Sequence, residues 1–114
     1  MIHDPERLRG ILPLCWSAET DPQWLPENPA RGQCNVTCLV VQDFCGGEIV
    51  KTETPGGWHF YNSVDGRRYD LTASQFASPV TYADNASNRA EALAGTTEES
   101  YALLKTRVTK LVEL

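Results

Sequence analysis

The sequence predicts an α+β domain in which a central apolar helix packs on an antiparallel sheet. Three observations carry this. The run Cys34 to Cys45, "CNVTCLVVQDFC", is apolar and closes on Gly46-Gly47, a helix stop. Three extended runs follow it, split by Pro55-Gly56-Gly57 and by Asp65-Gly66, both turn signals of hairpin grade. The last residues, Thr97 to Leu114, return to helical spacing.

Taken in order, residues 4–16 place Leu8, Ile11, Leu12 and Leu14 near helical spacing, with Asp4 as cap and Pro5 in the first turn, so a first helix is expected. The stretch "SAETDPQWLPENPARGQ" (17–33) holds three prolines and little periodicity and reads as an ordered loop, anchored by Trp24. In the central helix Cys38, Val41 and Cys45 form an apolar face flanked by Leu39, Val40 and Phe44. Its β-branched Val36, Thr37, Val40 and Val41 weigh locally toward strand, but length and the glycine stop favour helix. The runs "EIVKTET", "WHFYNSV" and "RRYDLTA" form a three-stranded meander. A polar loop beyond Phe76 leads to "NRAEALAG" and to a terminal helix with Tyr101, Leu104, Val108 and Leu111 on one face.

With 114 residues, 41% of them hydrophobic, the chain is long enough for one core and short enough for one domain, 1–114. A formal net charge of -5 removes the positive field that nucleic acid or acidic lipid recruits, so neither is expected as a partner. No basic start with an apolar run and cleavage site is found, and no stretch reaches membrane-spanning length, which together predict a cytoplasmic protein with reduced cysteines. Four cysteines suit a zinc site in number but not in spacing. There is no C-x-x-C pair, and Cys34, Cys38 and Cys45 at i, i+4 and i+11 of one helix do not converge, so no metal or other cofactor is expected.

The chemistry falls on Cys34. A thiol becomes nucleophilic as thiolate, and the first turn of a helix, with free N–H groups and the positive end of the dipole, favours that form. Cys15, Cys38 and Cys45 read instead as small buried hydrophobes. A thiol site needs a base and a group that orients it. Of two histidines, His3 sits near the terminus, whereas His59 lies in the aromatic strand "WHFYN". Counting outward from the Asp65-Gly66 turn sets His59 opposite a residue near Asp70 or Thr72. A strand carboxylate such as Asp70 needs a partner, which makes it the orienter and Asn62 the runner-up; its plainer role is to cap the turn "TASQF".

The segments "ENPARGQCNVTCLVVQDFCGGEI", "HFYNSVDGRRYDLT" and the order Cys, His, Asp resemble the transglutaminase-like and papain-like cysteine proteins, and more closely the YunG-type bacterial proteins. The likeness runs from about Trp16 to Phe76. It implies a minimal papain/transglutaminase-like core with Cys34 as nucleophile, His59 as base and Asp70 as orienter. In papain-like relatives an amide side chain six residues before the nucleophile serves as oxyanion donor; here that position is Asn28, not glutamine. Asn28 and Gln33 are thus the supporting candidates for the oxyanion site, with loop hydrogen bonding as the simpler role of both. Trp16, Trp24 and Trp58 are candidates for the cleft wall, with core packing as their simpler role.

The expected function is cysteine-dependent acyl transfer on a peptide or a small amide or thioester substrate, with hydrolysis favoured over cross-linking. The alternative is a non-catalytic module that keeps the fold and holds a peptide or small ligand; a redox-sensing thiol resolved by Cys38 is a third reading. The sequence does not set the oligomeric state.

Overall fold

The computed structural model describes residues 3–114 and is an α+β fold with four α-helices and one four-stranded antiparallel sheet. Helix α1 spans Pro5–Ile11. Asp4 caps it by accepting the Glu6 N–H at 2.9 Å, and Pro5 fills the first turn, where no N–H is needed. Pro13 ends it: the chain tightens into a 3-10 turn at Leu12–Leu14, so the expected single helix to Trp16 is two shorter pieces.

Helix α2, Cys34–Cys45, is the centre of the molecule. Only Asn35, Gln42, Asp43 and Phe44 escape full burial along it. One side, with Val36, Val40, Val41 and Cys45, packs among Leu8, Leu12 and Trp16 and the α4 residues Leu104, Val108 and Val112; α4 spans Glu98–Val112. The other side, with Cys34, Cys38 and Leu39, packs against Ile49, Phe60 and Ala92. Burial all round explains how a β-branched run stays helical, since packing outweighs a propensity deficit of a few tenths of a kcal/mol per residue.

Gly46 and Gly47 turn the chain directly into the sheet, both at positive φ. A Cβ on Gly47 would lie 2.3 Å from the Ser63 carbonyl oxygen, so only glycine lets this turn lie on the neighbouring strand. Strands β1 (Glu48–Thr54) and β2 (Gly57–Val64) form a hairpin with Thr54 paired to Gly57, and β3 (Arg67–Tyr69) follows the Asp65-Gly66 turn. The third strand is shorter than expected: pairing stops at Tyr69, and residues 73–75 coil into a 3-10 turn. A fourth strand, β4 (Asn85–Ala86), joins the far edge of β1 and gives the order β3-β2-β1-β4. Two residues in a polar loop carry too short a pattern to read as a strand. Helix α3, Arg89–Ala94, then leads into α4; both begin on side-chain caps, Asn88 and Thr97.

Along β2 the alternation of side chains divides labour. Asn62 and Val64 turn to α2, where Asn62 Nδ2 donates to the Cys38 carbonyl at 3.0 Å and Val64 joins the cluster of Val41 and Cys45. His59 and Tyr61 share the other alternation and stack with ring centroids 5.8 Å apart. Among the described residues no helix is long and apolar enough to cross a membrane.

Candidate active site

A cleft of about 410 Å³ opens at the N-terminus of α2, where Cys34, His59, Asn28, Trp58 and Phe76 share its lining. Cys34 enters it from the first residue of the helix and is 9% exposed. No side chain caps this helix start, so its N–H groups remain available, the Cys34 N–H among them. The Cys34 Sγ donates to Asn35 Oδ1 at 3.4 Å, and the His59 ring lines the same cleft beside it.

His59 Nε2 lies 2.7 Å from Asp70 Oδ2, with both side chains buried. Because Nε2 is engaged there, Nδ1 is the nitrogen left for the thiol. Phe76 meets the His59 ring edge-on at 4.7 Å and Tyr61 stacks with it at 5.8 Å, so two aromatic rings pack on the imidazole. Burial alone pulls the His59 pKa down. Its bond to the Asp70 carboxylate and the nearby Cys34 sulfur outweigh that and raise it to about 9. Burial works to raise the Asp70 pKa, yet the His59 bond, the Tyr82 hydroxyl and the Thr72 N–H together hold it below the usual carboxylate value. At neutral pH the pair is therefore imidazolium and carboxylate.

Asp70 makes both sets of bonds that its sequence context allows. Its Oδ2 takes His59, while its Oδ1 accepts the Thr72 N–H at 3.2 Å and the Thr72 hydroxyl at 3.3 Å, opening the 3-10 turn. The turn thus fixes the carboxylate that fixes the imidazole. Counting from the hairpin placed Asp70 near His59 to within the register, and the chain's departure from strand geometry after Tyr69 lets position 70 reach it.

The other candidates separate. Asn28 lines the cleft and donates one Nδ2 hydrogen to the Gln75 carbonyl at 3.1 Å, leaving one amide hydrogen. Gln33 does not reach the cleft: it is buried, accepts from the Thr20 hydroxyl at 2.7 Å and donates to the Arg31 carbonyl at 3.3 Å, which ties the 17–33 loop to α2. Asn62 does not orient His59, since the strand alternation turns it to α2. Trp16 is a core residue whose Nε1 donates to Thr37 Oγ1 at 2.9 Å, and Trp24 packs on the same core; neither walls the cleft. Trp58 does, and it is 46% exposed with Lys51 Nζ 4.3 Å from its ring centroid.

Three contributors carry no readable signal in the sequence. Tyr82 donates its hydroxyl to Asp70 Oδ2 at 2.7 Å from a loop without periodicity. Gln75 lines the cleft and braces Thr72 through Nε2 at 3.1 Å. Asn35 stands beside the thiol, its Nδ2 donating to the Ala92 carbonyl at 3.0 Å, and Gly95 leaves it room: a Cβ there would lie 2.4 Å from Asn35 Nδ2.

The family model described as YunG protein matches residues 4–113, nearly the whole chain. This chain belongs to the YunG family. The uncharacterised protein YunG of Bacillus subtilis (strain 168) is 45% identical to it over 100 residues, covering 88% of this chain and 87% of that protein. No solved structure matches this YunG-family chain. The matched span includes every residue of the cleft, from Asp21 to Gly95.

Proposed function

We propose that this YunG-family chain is a cysteine-dependent acyl-transfer enzyme of the papain and transglutaminase type, acting as a hydrolase on an amide or thioester. The observation that carries the reading is the meeting of the Cys34 thiol, at the start of α2, and the Asp70-held His59 ring on one open cleft. A positive His59 beside the sulfur is what a thiolate–imidazolium pair requires.

In the first half-reaction the Cys34 sulfur attacks the carbonyl carbon and forms the C–S bond while the carbonyl oxygen takes negative charge. The uncapped Cys34 N–H and the remaining Asn28 amide hydrogen are donors of the kind that charge needs. His59 gives its proton to the leaving nitrogen or sulfur as that bond breaks. Water then attacks the thioester, His59 takes its proton, and the C–S bond breaks to release the acid. Asp70 stays ionised throughout and holds the ring. The proposal places the chain in the cytoplasm, where a free thiol stays reduced.

The test is the rate of iodoacetamide alkylation at each cysteine against pH, read by mass spectrometry on the native protein. Cys34 is expected to label at pH 7 faster than free cysteine, and His59→Ala to move that labelling to higher pH. Labelling no faster than free cysteine, with the same profile in His59→Ala, overturns the enzyme reading. It would leave a cleft that holds a peptide or small ligand without chemistry, a reading favoured by the thiol's bond to Asn35.

A further inference from the structure

The cleft does not end at Phe76. A second cavity of about 620 Å³ adjoins it, and Thr54, Gly56 and Phe76 line both. Its character differs: Pro55, Ala77, Pro79 and Val80 present apolar surface beside Phe76, and Glu53 is its single charged residue. Ala77, Ser78 and Pro79 are exposed, so the groove is open to solvent.

The edge of the sheet runs along this groove. Ser87 N donates to the Ile49 carbonyl at 3.0 Å, which places the backbone groups of residue 49 on the outer edge of β1. In an antiparallel strand that direction repeats at every second residue, so Lys51 and Glu53 face the same way. Strand β4 covers this edge only at Val50 and Lys51. Beyond it the chain veers off: the Thr52 hydroxyl donates to the Thr81 carbonyl at 3.0 Å and accepts the Ala83 N–H at 2.9 Å, replacing the ladder with side-chain bonds. Among the described residues no backbone hydrogen bond joins Glu53 to the 81–83 segment. An outward N–H and C=O therefore stand at the rim of an apolar groove that leads to the thiol.

We propose that this groove and the Glu53 edge bind an extended peptide segment with one apolar side chain. The segment adds as a short strand, its backbone bonding the Glu53 N–H and C=O and its apolar side chain entering the groove, so that its continuation runs into the Cys34 cleft. A backbone-paired peptide satisfies both features at once, whereas an acyl chain fills the apolar groove and leaves the strand edge unused. The proposal gives the substrate class for the acyl-transfer reading and rests on that reading only for the fate of the bound peptide.

The test uses the Cys34→Ser protein, which removes the thiol chemistry, and acetyl-Ala-Xaa-Ala-Ala-amide peptides with Xaa as Leu, Val, Ser or Asp. Amide shifts are followed by two-dimensional NMR. The Leu and Val peptides are expected to shift Glu53 and residues 77–80 and to bind at least tenfold more tightly than the Ser and Asp peptides. Ala77→Asp, at an exposed position, should remove that preference without altering iodoacetamide labelling of Cys34 in the protein that retains its thiol; Val80→Asp is the second groove variant. Indifference to Xaa, shifts that avoid Glu53, or shifts produced by N-octanoylglycinamide and not by the peptides overturn the proposal. Peptide binding with an unactivated Cys34 would uphold this inference while removing the enzyme, and a fast thiol without peptide binding would do the reverse.

Discussion

His59 Nε2 and Asp70 Oδ2 are 2.7 Å apart, with the two side chains only 2% and 4% exposed. An ion pair this dry is held by its own partners: removing one leaves an uncompensated buried charge, which costs about 3–5 kcal/mol.

Stability should follow the titration of that pair. The folded His59 pKa is raised to about 9 from 6.5, so its contribution is fully present below about pH 6.5 and is lost as pH rises through about 9. At about 1.36 kcal/mol per pKa unit the loss is about 3 kcal/mol. Asp70 is lowered, so its contribution is present above about pH 3.8 and is lost as pH falls through its folded value. Urea unfolding at pH 6 and pH 10 should show the alkaline decline in the wild type and a flatter response in Asp70→Asn; equal slopes in the two proteins would contradict the pairing.

Native alkylation should single out Cys34. Burial raises the Cys38 pKa well above its ordinary value, raises Cys45 to about 11 and raises Cys15. All three are at most 2% exposed. At pH 7.5 iodoacetamide should therefore modify Cys34 alone, and Cys34→Ala should abolish modification while keeping the wild-type circular dichroism. Comparable labelling of Cys38 or Cys45 in the folded protein would refute this.

Tyr82→Phe should act on Asp70 rather than on the cleft. The Tyr82 hydroxyl helps hold the Asp70 pKa down, so its loss raises that pKa and moves acid destabilisation to higher pH. A cost of about 1.5–3 kcal/mol at neutral pH is expected for one lost hydrogen bond to a charged group. Urea midpoints measured from pH 3 to 7 check both statements.

Gly95→Ala should collide with Asn35. Gly95 has φ -97, which any residue adopts, so the whole cost comes from a Cβ placed 2.4 Å from Nδ2 and 2.7 Å from Cγ. A loss of about 1–3 kcal/mol is expected, with a changed rate of Cys34 labelling because Asn35 Oδ1 accepts from that thiol. Adding Asn35→Ala should recover most of the stability lost to Gly95→Ala. An additive double variant would show that the two residues do not touch.

The features that were legible are those written locally. The Gly46-Gly47 stop, the Asp65-Gly66 turn and the run 34–45 depend on neighbours in sequence: α2 keeps the bounds of its run and two strands meet at the turn, while β3 ends at Tyr69, short of its run. Asp70 could be set near His59 because a short hairpin ties register to residue count. Gln33 and Asn62 differ from this. Each was a plausible polar group beside the site, but a side chain's direction depends on the strand alternation and on which loop lies above it. The structure gives Gln33 to Thr20 and Asn62 to the Cys38 carbonyl.

By itself the sequence determined the α+β class, the order of the main elements and the residues Cys34, His59 and Asp70 as the set to watch, since periodicity, turn chemistry and residue type act over a few positions. Only the tertiary structure decided which groups surround them. Tyr82, Gln75, Asn35 and Gly95 come from 23, 16, 24 and 36 residues away from His59 in the chain, and Trp58 rather than Trp16 or Trp24 stands at the cleft. Contacts of that kind are fixed when helices and sheet dock and each buried polar atom must find a partner, and no local pattern records that choice.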